Sequence, residues 1–296
     1  MTSYFTWIHT SLFILILFFM QKPVDAKVLI MTHCFNRPEF IAWQHATFKK
    51  FLEDEYEFVV FDDSPNEELA HQTEAVCEVL EVGYIRVPQS IHDGRRWGPS
   101  QECADTIQYM LDTVGFDYPG LVLLVDSDMF LIRDFSIEKY LGDYLLASTP
   151  QSRKGNSAEI IYLLPNLVFF KMNAIPDRRN LNFGMGWIDG IYTDTGGYTY
   201  LYLTQHPDFK WLHIDVGYQM SENPTFMQPD ATAALKAKSK LWHLMTVQEF
   251  DYEFYVDYTF LHFRAGSNWY KMEESQMARK TQMLSEAMEE LLSDIN

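Results

Sequence analysis

Cysteine is scarce in this chain, and its pattern limits the covalent or metal scaffolds that the fold can use. Of 296 residues, 3 are cysteine, and they lie far apart at Cys34, Cys77 and Cys103 without any Cys-x-x-Cys pair. An odd number at wide spacing does not support a disulfide framework or a structural zinc site. A single disulfide bridge is the alternative to the free, buried or partly buried thiols that we expect.

Basic residues are also few relative to acidic ones. The chain has 23 Lys and Arg against 41 Asp and Glu, which gives a formal net charge of −18. Binding of nucleic acid through a broad face requires clustered basic side chains that neutralise phosphates, so we expect no nucleic-acid partner. A small phosphorylated ligand is compatible with this charge, but a metal ion or a few local arginines would have to hold it.

Apolar residues, in contrast, are abundant enough for a folded core. Hydrophobic residues make up 47% of the chain and aromatic residues 16%, which argues against global disorder. The length of 296 residues suffices for one large α/β domain or two small ones. Because no linker, repeat or low-complexity tract separates the halves, we predict that residues 27–296 form a single domain.

Residues 1–26 differ from the rest and are left out of the fold prediction. The segment Ser11–Met20 is almost wholly apolar, and Val24–Ala26 has the small or apolar residues that a signal peptidase accepts. This predicts a signal peptide or a short membrane anchor, although no Lys or Arg precedes the apolar run. An incorrectly assigned start is a third alternative. We expect entry into the secretory pathway or membrane association through residues 4–20. An uncleaved anchor would leave the rest facing the cytosol, because lysines follow the apolar run.

Strand-like apolar runs alternate with helical patterns through the first half of the chain. Strands are predicted near Lys27, Tyr56, Val82 and Leu121, and helices over Arg37–Glu55, over Glu67–Leu80 and after Pro99, with Ser100 as a helix cap. This alternation predicts an α/β fold with a mainly parallel, doubly wound sheet flanked by helices. The second half predicts a smaller antiparallel region, followed by an amphipathic C-terminal helix whose apolar face carries Met277, Leu284, Met288, Leu291 and Ile295.

Polar side chains collect where three of the predicted strands end. Ligands of doubly wound sheets bind outside the carboxyl ends of the strands, so these positions are the first candidates for a site. The polar residues at the three ends are Thr32, His33 and Cys34, then Asp62 and Asp63, then Asp126 and Asp128. Three such ends give a stronger signal than any one of them alone.

Asp126 and Asp128 interrupt an apolar stretch, VLLVDSDMFLIRDF, directly after the run Leu121–Val125. A buried carboxylate is costly unless it is paired or bound to a metal. Alternation along an extended chain sends the two acids to the same side, where they can bind Mn²⁺ or Mg²⁺ and leave positions for phosphate oxygens. A solvated turn without a ligand is the alternative, and the apolar segments on both sides favour the metal site.

The stretch LHFRAGSNW offers a third ligand near the end of the chain. His262 follows an apolar and aromatic run and precedes a turn that contains glycine. A neutral imidazole is a good ligand for Mn²⁺-type ions, and Arg264 with the backbone amides of the turn can meet phosphate oxygens. The alternative is a core histidine beside a structural turn.

These two motifs together resemble those of nucleotide-sugar glycosyltransferases with the A-type fold, in particular the glycogenin and galactosyltransferase-like group. LLVDSDMFLIRDF is similar to that group's signature of strand, Asp-x-Asp and strand, and HFRAGSNW to its C-terminal histidine–glycine–tryptophan turn. The first strand, Lys27–Phe35, and FDDS at the end of the second also match, while the middle of the chain matches loosely.

The resemblance implies a catalytic half and an acceptor half within one glycosyltransferase-like domain, with Mn²⁺ (or Mg²⁺) bridging the diphosphate of a sugar nucleotide. It implies that Asp128 and His262 are direct metal ligands and that Asp126 contacts both the metal and the ribose. Thr32, at the end of the first strand, is a further expected contact of the nucleotide.

One departure from the group lies in the C-terminal turn. The group commonly has a lysine after the glycine of this turn, and Asn268 occupies that neighbourhood here, beside Trp269. Asn268 and Trp269 are kept as expected nucleotide contacts. Neutralisation of the diphosphate by this turn would fall to Arg264.

The stretch HDGRRWGPS is a candidate anion site. Arg95 and Arg96 lie between two glycines and precede a predicted helix N-terminus, which favours negative charge. In the resembled group this region lies near the nucleotide, where Asp63 would accept from the base and Asp105 would contact the sugar. A solvated loop is the alternative.

The stretch NFGMGWIDGIYTDTGG, Asn182–Gly197, predicts a shaped loop on the acceptor side. Trp187 can stack on a sugar ring, and Asp189 or Asp194 can act as the general base that deprotonates an acceptor hydroxyl. Asn166 is a further candidate for a sugar contact. A turn-rich connection with solvated acids is the alternative.

We therefore predict a metal-dependent glycosyltransferase that moves a sugar from a nucleotide sugar, expected to be a UDP-sugar, to a hydroxyl of a carbohydrate, lipid or protein acceptor. A nucleotidyltransferase that makes sugar nucleotides is the first alternative, but THCFNRPEF after the first strand lacks the expected glycines. A phosphatase-like enzyme is disfavoured, because it would carry its nucleophilic acid at the end of the first strand, whereas Asp126 follows the fourth predicted strand. A non-catalytic carbohydrate-binding protein on the same fold also stays open.

Overall fold

The computed structural model describes residues 28–92, 98–219, 241, 252–263 and 273–293, with backbone alone for 217–219. The strands are β1 Val28–Cys34, β2 Tyr56–Asp62, β3 Gly83–Arg86, β4 Leu121–Asp126, β5 Met129–Leu131, β6 Leu146–Lys154, β7 Glu159–Lys171, β8 Trp187–Ile188, β9 Ile191–Tyr192, β10 Leu212–His213, β11 Val216–Gln219, β12 Glu253–Tyr255 and β13 Phe260–His262. The helices are α1 Pro38–Phe51, α2 Glu67–Leu80, α3 Pro99–Thr113, α4 Ile137–Leu141, α5 Thr199–Gln205 and α6 Glu274–Leu292.

A seven-stranded sheet forms the centre, in the order β10-β6-β7-β4-β1-β2-β3. Strand β1 pairs in parallel with both β2 and β4, while β7 runs antiparallel between β4 and β6. A second, antiparallel sheet has the order β11-β12-β13-β5. The predicted α/β fold, with a mainly parallel sheet and a smaller antiparallel region, is confirmed.

Side chains of the central strands alternate between two buried layers, as a sheet covered on both faces requires. On one face, Val28, Ile30, Leu123 and Val125 pack with Ile41 and Phe48 of α1. On the other face, Leu29, Met31, Val122 and Leu124 pack with Ile107, Met110 and Leu111 of α3. The doubly wound arrangement therefore follows from apolar runs that are buried on both sides, and it leaves the strand ends as the open edge.

The start of α3 differs from the prediction. Gly98 is the residue that precedes the helix, with φ of 109°, and Pro99 takes the first helical position, so Ser100 is not the cap. Proline suits that position because it lacks an N–H that the helix could not satisfy and has a fixed φ. The start of α2 instead has a side-chain cap, since Asn66 accepts from the backbone N–H groups of Glu68 and Leu69.

The C-terminal helix α6 buries one face against the small sheet and α1, as its spacing predicts. Leu284, Met288 and Leu291 are buried and Met277 is partly buried in a cluster with Phe40, while Ile295 lies outside the described residues. Among the residues that the structure describes, no helix combines the length and apolar character needed to cross a bilayer. The predicted leader lies outside the described residues and stays a prediction, as does membrane association through residues 4–20.

Candidate functional site

The pairing of two short strands brings Asp128 and His262 together. Asp126 is the last residue of β4, Ser127 and Asp128 form a turn, and β5 then pairs with β13 so that Met129 lies opposite His262. The backbone N–H of Phe263 donates to the carbonyl of Asp128 at 2.8 Å. As a result, His262 Nε2 lies 3.3 Å from Asp128 Oδ1.

Asp126, Asp128 and His262 together form a potential metal site. One ligand atom from each lies within 4.8 Å of the other two. Two carboxylates and one imidazole suit a divalent ion such as Mn²⁺ or Mg²⁺ and leave positions of its coordination sphere for other oxygens. The side chain of Asp126 is 24% exposed, while those of Asp128 and His262 are nearly buried. The donor set therefore fits a cation that is reached from the side of Asp126.

The electrostatics of the site reflect concentrated negative charge. Burial, followed by the charge of Asp128, raises the pKa of Asp126, although His33 and His262 oppose this rise. Burial lowers the pKa of His262, but Asp128 and Glu253 outweigh it and raise that pKa to about 10. A divalent cation would relieve the repulsion between the two aspartates.

Gln44 of α1 holds the turn that carries the two aspartates. Its buried amide Nε2 donates to the carbonyls of Asp126 and Met129, at 2.7 and 2.8 Å. One side chain thus bridges both ends of the Asp126–Met129 turn. Nothing in the sequence marks this residue, because a glutamine inside an amphipathic helix has no local pattern that identifies it as buried.

His262 also has a partner on its other ring nitrogen. Its Nδ1 lies 2.9 Å from Glu253 Oε2, and the hydroxyl of Tyr255 donates to the same oxygen at 2.6 Å. Asn166 Nδ2 in turn donates to the hydroxyl of Tyr255 at 2.8 Å. Asn166 Oδ1 is buried and has no hydrogen-bond partner among the described residues. Asn166, predicted as a sugar contact, therefore has its amide NH₂ engaged by Tyr255, while its side-chain oxygen lacks a partner among the described residues.

The end of β1 contributes a buried hydroxyl and an imidazole. Thr32 is fully buried, and its Oγ1 has no hydrogen-bond partner within the described part of the chain. His33 Nδ1 lies 3.9 Å from Asp126 Oδ1, and His33 Nε2 lies 3.9 Å from Cys103 Sγ. His33 therefore lies beside a candidate ligand, because the register of β1 with β4 places it opposite Asp126.

The carboxylate of Asp63 is held in a hydrogen-bonded network at the end of β2. Its oxygens accept from Thr106 Oγ1 at 2.9 Å and Gln89 Nε2 at 3.1 Å, and His92 Nε2 lies 2.9 Å away. His92 Nδ1 lies 3.5 Å from Asp105 Oδ2, and Gln101 donates to the other oxygen of Asp105. This carboxylate therefore connects β2 with the turn before α3 and with α3 itself, and a base contact at Asp63 stays a prediction. Nothing in the sequence marks His92 as part of this network.

Asp189 has a structural role in the acceptor-side loop. It forms, with Gly190, the two-residue turn of the β8–β9 hairpin, and both have positive φ, 48° and 77°. Its carboxylate accepts from Ser157 N and Oγ and from Ala158 N, and these bonds, led by the backbone bond of Ser157, lower its pKa. These bonds engage both oxygens in the structure, and a general base at Asp189 stays a prediction that they do not favour. The Asp-Gly pair between apolar residues is a hairpin signal that could have revealed this turn.

Asp194 and Trp187 remain accessible in the same loop. The side chain of Asp194 is 39% exposed, with one oxygen 4.0 Å from Arg153. The neighbouring Thr195 Oγ1 donates to the carbonyl of Ser100 at 2.7 Å, which places this part of the loop beside the start of α3. Trp187 is 71% exposed and lies edge-on to Tyr192.

Five of the predicted phosphate and nucleotide contacts lie outside the described residues. These are Arg95, Arg96, Arg264, Asn268 and Trp269. Their roles stay predictions.

Comparison with known proteins gives distant similarities. No family model and no curated protein matches the sequence. Among solved structures, the galactosyltransferase LgtC with donor and acceptor sugar analogues has 16% identity and a TM-score of 0.45, over 87% of this chain and 95% of that one. The mannosyltransferase PcManGT from Pyrobaculum calidifontis, in complex with GDP-Man and Mn²⁺, has 12% identity and a TM-score of 0.41, over 95% and 85%.

The bifunctional glycosyltransferase WbbM is matched over a smaller part, with 11% identity and a TM-score of 0.35. The match covers 51% of this chain, which spans only 32% of the length of WbbM. These structures are glycosyltransferases, the class that the sequence resembles. At such low identities and TM-scores, neither the reaction nor the ligands of this chain follow from them.

Proposed function

We propose that this chain is a metal-dependent glycosyltransferase that transfers a sugar from a nucleoside-diphosphate sugar, a UDP-sugar, to an acceptor hydroxyl. The observation that carries this proposal is the approach of Asp126, Asp128 and His262 to within 4.8 Å of one another. Asp126 and Asp128 lie at the carboxyl end of β4 in a mostly parallel sheet, the edge where such folds bind ligands, and His262 reaches them from the end of β13.

Asp126, Asp128 and His262 would hold Mn²⁺ or Mg²⁺. The bound ion would supply Lewis-acid stabilisation of the negative charge that develops on the departing nucleoside diphosphate. Asp126, as the most exposed of the three, would also face the ribose. Arg264, with Arg95 and Arg96, would place positive charge beside the departing diphosphate.

The acceptor would lie against the accessible part of the loop that follows β7. Trp187 offers an exposed aromatic face for a sugar ring. Asp194 is the candidate general base, because it is accessible and its neighbour Thr195 contacts the start of α3, whereas the carboxylate of Asp189 is occupied. Asn166, whose buried Oδ1 has no hydrogen-bond partner among the described residues, stays a candidate for a sugar contact.

The test is release of the nucleotide from UDP-sugars by the purified chain, with and without EDTA. We expect EDTA to abolish nucleotide release and Mn²⁺ to restore it. Asp128→Asn and His262→Gln should each lower the rate of release by about 100-fold or more, which exceeds the usual cost of losing a residue that only supports a metal ligand. The matched control is Asp54→Asn, which alters a buried carboxylate bonded to Ser136 and Ile137 instead of the site.

Two results would overturn the proposal. One is release that neither EDTA nor the two ligand variants affect. The other is formation of pyrophosphate from a sugar phosphate and UTP, which would identify a nucleotidyltransferase instead.

A further inference from the structure

A buried hydrogen-bonded chain runs from β7 to the candidate metal ligand. Asn166 Nδ2 donates to Tyr255 Oη at 2.8 Å, Tyr255 Oη donates to Glu253 Oε2 at 2.6 Å, and Glu253 Oε2 lies 2.9 Å from His262 Nδ1. Asn166, Glu253 and His262 are each less than a tenth exposed, and Tyr255 is fully buried. Such a chain orders its members, because each side chain has a partner that fixes its rotamer.

Strand register places His262 between two carboxylates. On one side, β13 pairs with β12 so that Glu253 lies directly opposite His262. On the other side, β13 pairs with β5, and His262 Nε2 faces Asp128 at 3.3 Å. The two ring nitrogens therefore have separate tasks: Nδ1 is directed at Glu253, and Nε2 is directed at the aspartates.

Burial of the Glu253 carboxylate costs free energy that its partners must offset. An ionised carboxylate in the interior must be compensated by charged or hydrogen-bonding partners. A single oxygen of Glu253 receives both the Tyr255 hydroxyl and the His262 imidazole. Alternation along β12 sends Phe254 to the opposite face, into the apolar cluster, while Glu253 and Tyr255 share the face of His262.

We propose that Glu253 is a positioning residue for the metal site, with Tyr255 and Asn166 as its supports. The carboxylate keeps the proton of the imidazole on Nδ1 and fixes the ring plane, so that Nε2 is presented to the cation. Outer partners of this kind orient the imidazoles of many metal sites. This inference rests on the proposed function, because it assumes that His262 binds the ion.

The test compares Mn²⁺ affinity in the full chain with stability in the absence of metal. The variants are Glu253→Ala, Glu253→Gln and Tyr255→Phe, and free Mn²⁺ is measured by electron paramagnetic resonance. We expect Glu253→Ala to weaken Mn²⁺ binding by about 10- to 100-fold. Glu253→Gln should lose less because its amide oxygen can still accept from Nδ1, and Tyr255→Phe should lose least.

The control and the outcomes separate positioning from a purely structural role. Asp54→Asn should lower the melting temperature without changing the Mn²⁺ dissociation constant, because its partners Ser136 and Ile137 lie at the start of α4. If Glu253→Ala and Tyr255→Phe lower stability alone and bind Mn²⁺ as the unaltered chain does, the positioning role is wrong and the proposed function stands. If the unaltered chain binds no Mn²⁺, both fail.

Discussion

At the scale of single residues, the two side chains that organise the site come from parts of the chain with no visible motif. Gln44 bridges the carbonyls of Asp126 and Met129, and Glu253 engages His262. The aspartates and His262 are predictable because carboxylates and an imidazole stand out after apolar runs. Gln44 and Glu253 are not, because their burial depends on which helix and strand come to lie beside the turn.

Gln44→Met should destabilise the protein and weaken its metal site. The substitution keeps the length of the side chain but removes two hydrogen bonds from a buried turn. At about 1 kcal/mol for each bond, we expect the free energy of unfolding in urea to fall by about 2 kcal/mol. Mn²⁺ affinity should fall as well, because the turn that carries Asp128 loses its bridge.

Gln72→Met is the matched control for this prediction. Gln72 lies on α2, and its amide donates to Glu68 in an exposed position. The Gln72→Met substitution should leave both the unfolding free energy and the Mn²⁺ affinity nearly unchanged. Equal effects of the two substitutions would contradict the role assigned to Gln44.

At the scale of elements, local signals predict helices well and short strands poorly. The bounds predicted for α2, Glu67–Leu80, agree with the structure, where Asn66 caps its start. The cap predicted for α3 is wrong because the helix begins at Pro99, so that Gly98, two residues before Ser100, takes the cap position. Strands β5 and β13 have three residues each, and their pairing depends on contacts distant in sequence.

One link between elements should make stability depend on pH. His92 joins Asp63, which follows β2, to Asp105 on α3. Burial lowers the pKa of His92, but the hydrogen bonds and charges of Asp63 and Asp105 outweigh it and leave that pKa above its ordinary value of 6.5. A raised pKa means that the stabilisation is fully present below about pH 6.5 and is lost as the pH rises through the folded-state value.

We therefore expect His92→Gln to cost most stability in acid. The difference in unfolding free energy between the unaltered chain and His92→Gln should be largest near pH 5.5 and should shrink toward pH 8.5. Substitution of His71, whose side chain is mostly exposed, serves as the control. A difference that stays constant over this range would show that the link does not titrate.

At the scale of the whole molecule, the sheet order accounts for the meeting of the candidate ligands. Strand β4 lies beside β1 in the central sheet and carries Asp126 to its carboxyl end. Strand β5 then leaves that sheet and joins β13 in the small one, which brings His262 to Asp128. The α/β class follows from the alternation of patterns in the sequence. The joining of the two sheets at the Asp126–Met129 turn does not, because it requires pairing between strands that are far apart in the chain.

The most direct test of the account is thermal unfolding with Mn²⁺ and UDP. A ligand that binds the folded state raises the melting temperature, and the rise grows with its concentration and affinity, whatever the reaction. We predict that Mn²⁺ with UDP stabilises the unaltered chain and Asp54→Asn alike. Asp128→Asn and His262→Gln should lose this stabilisation while still unfolding cooperatively. An equal rise in melting temperature for both ligand variants would contradict the claim that Asp126, Asp128 and His262 hold the cation.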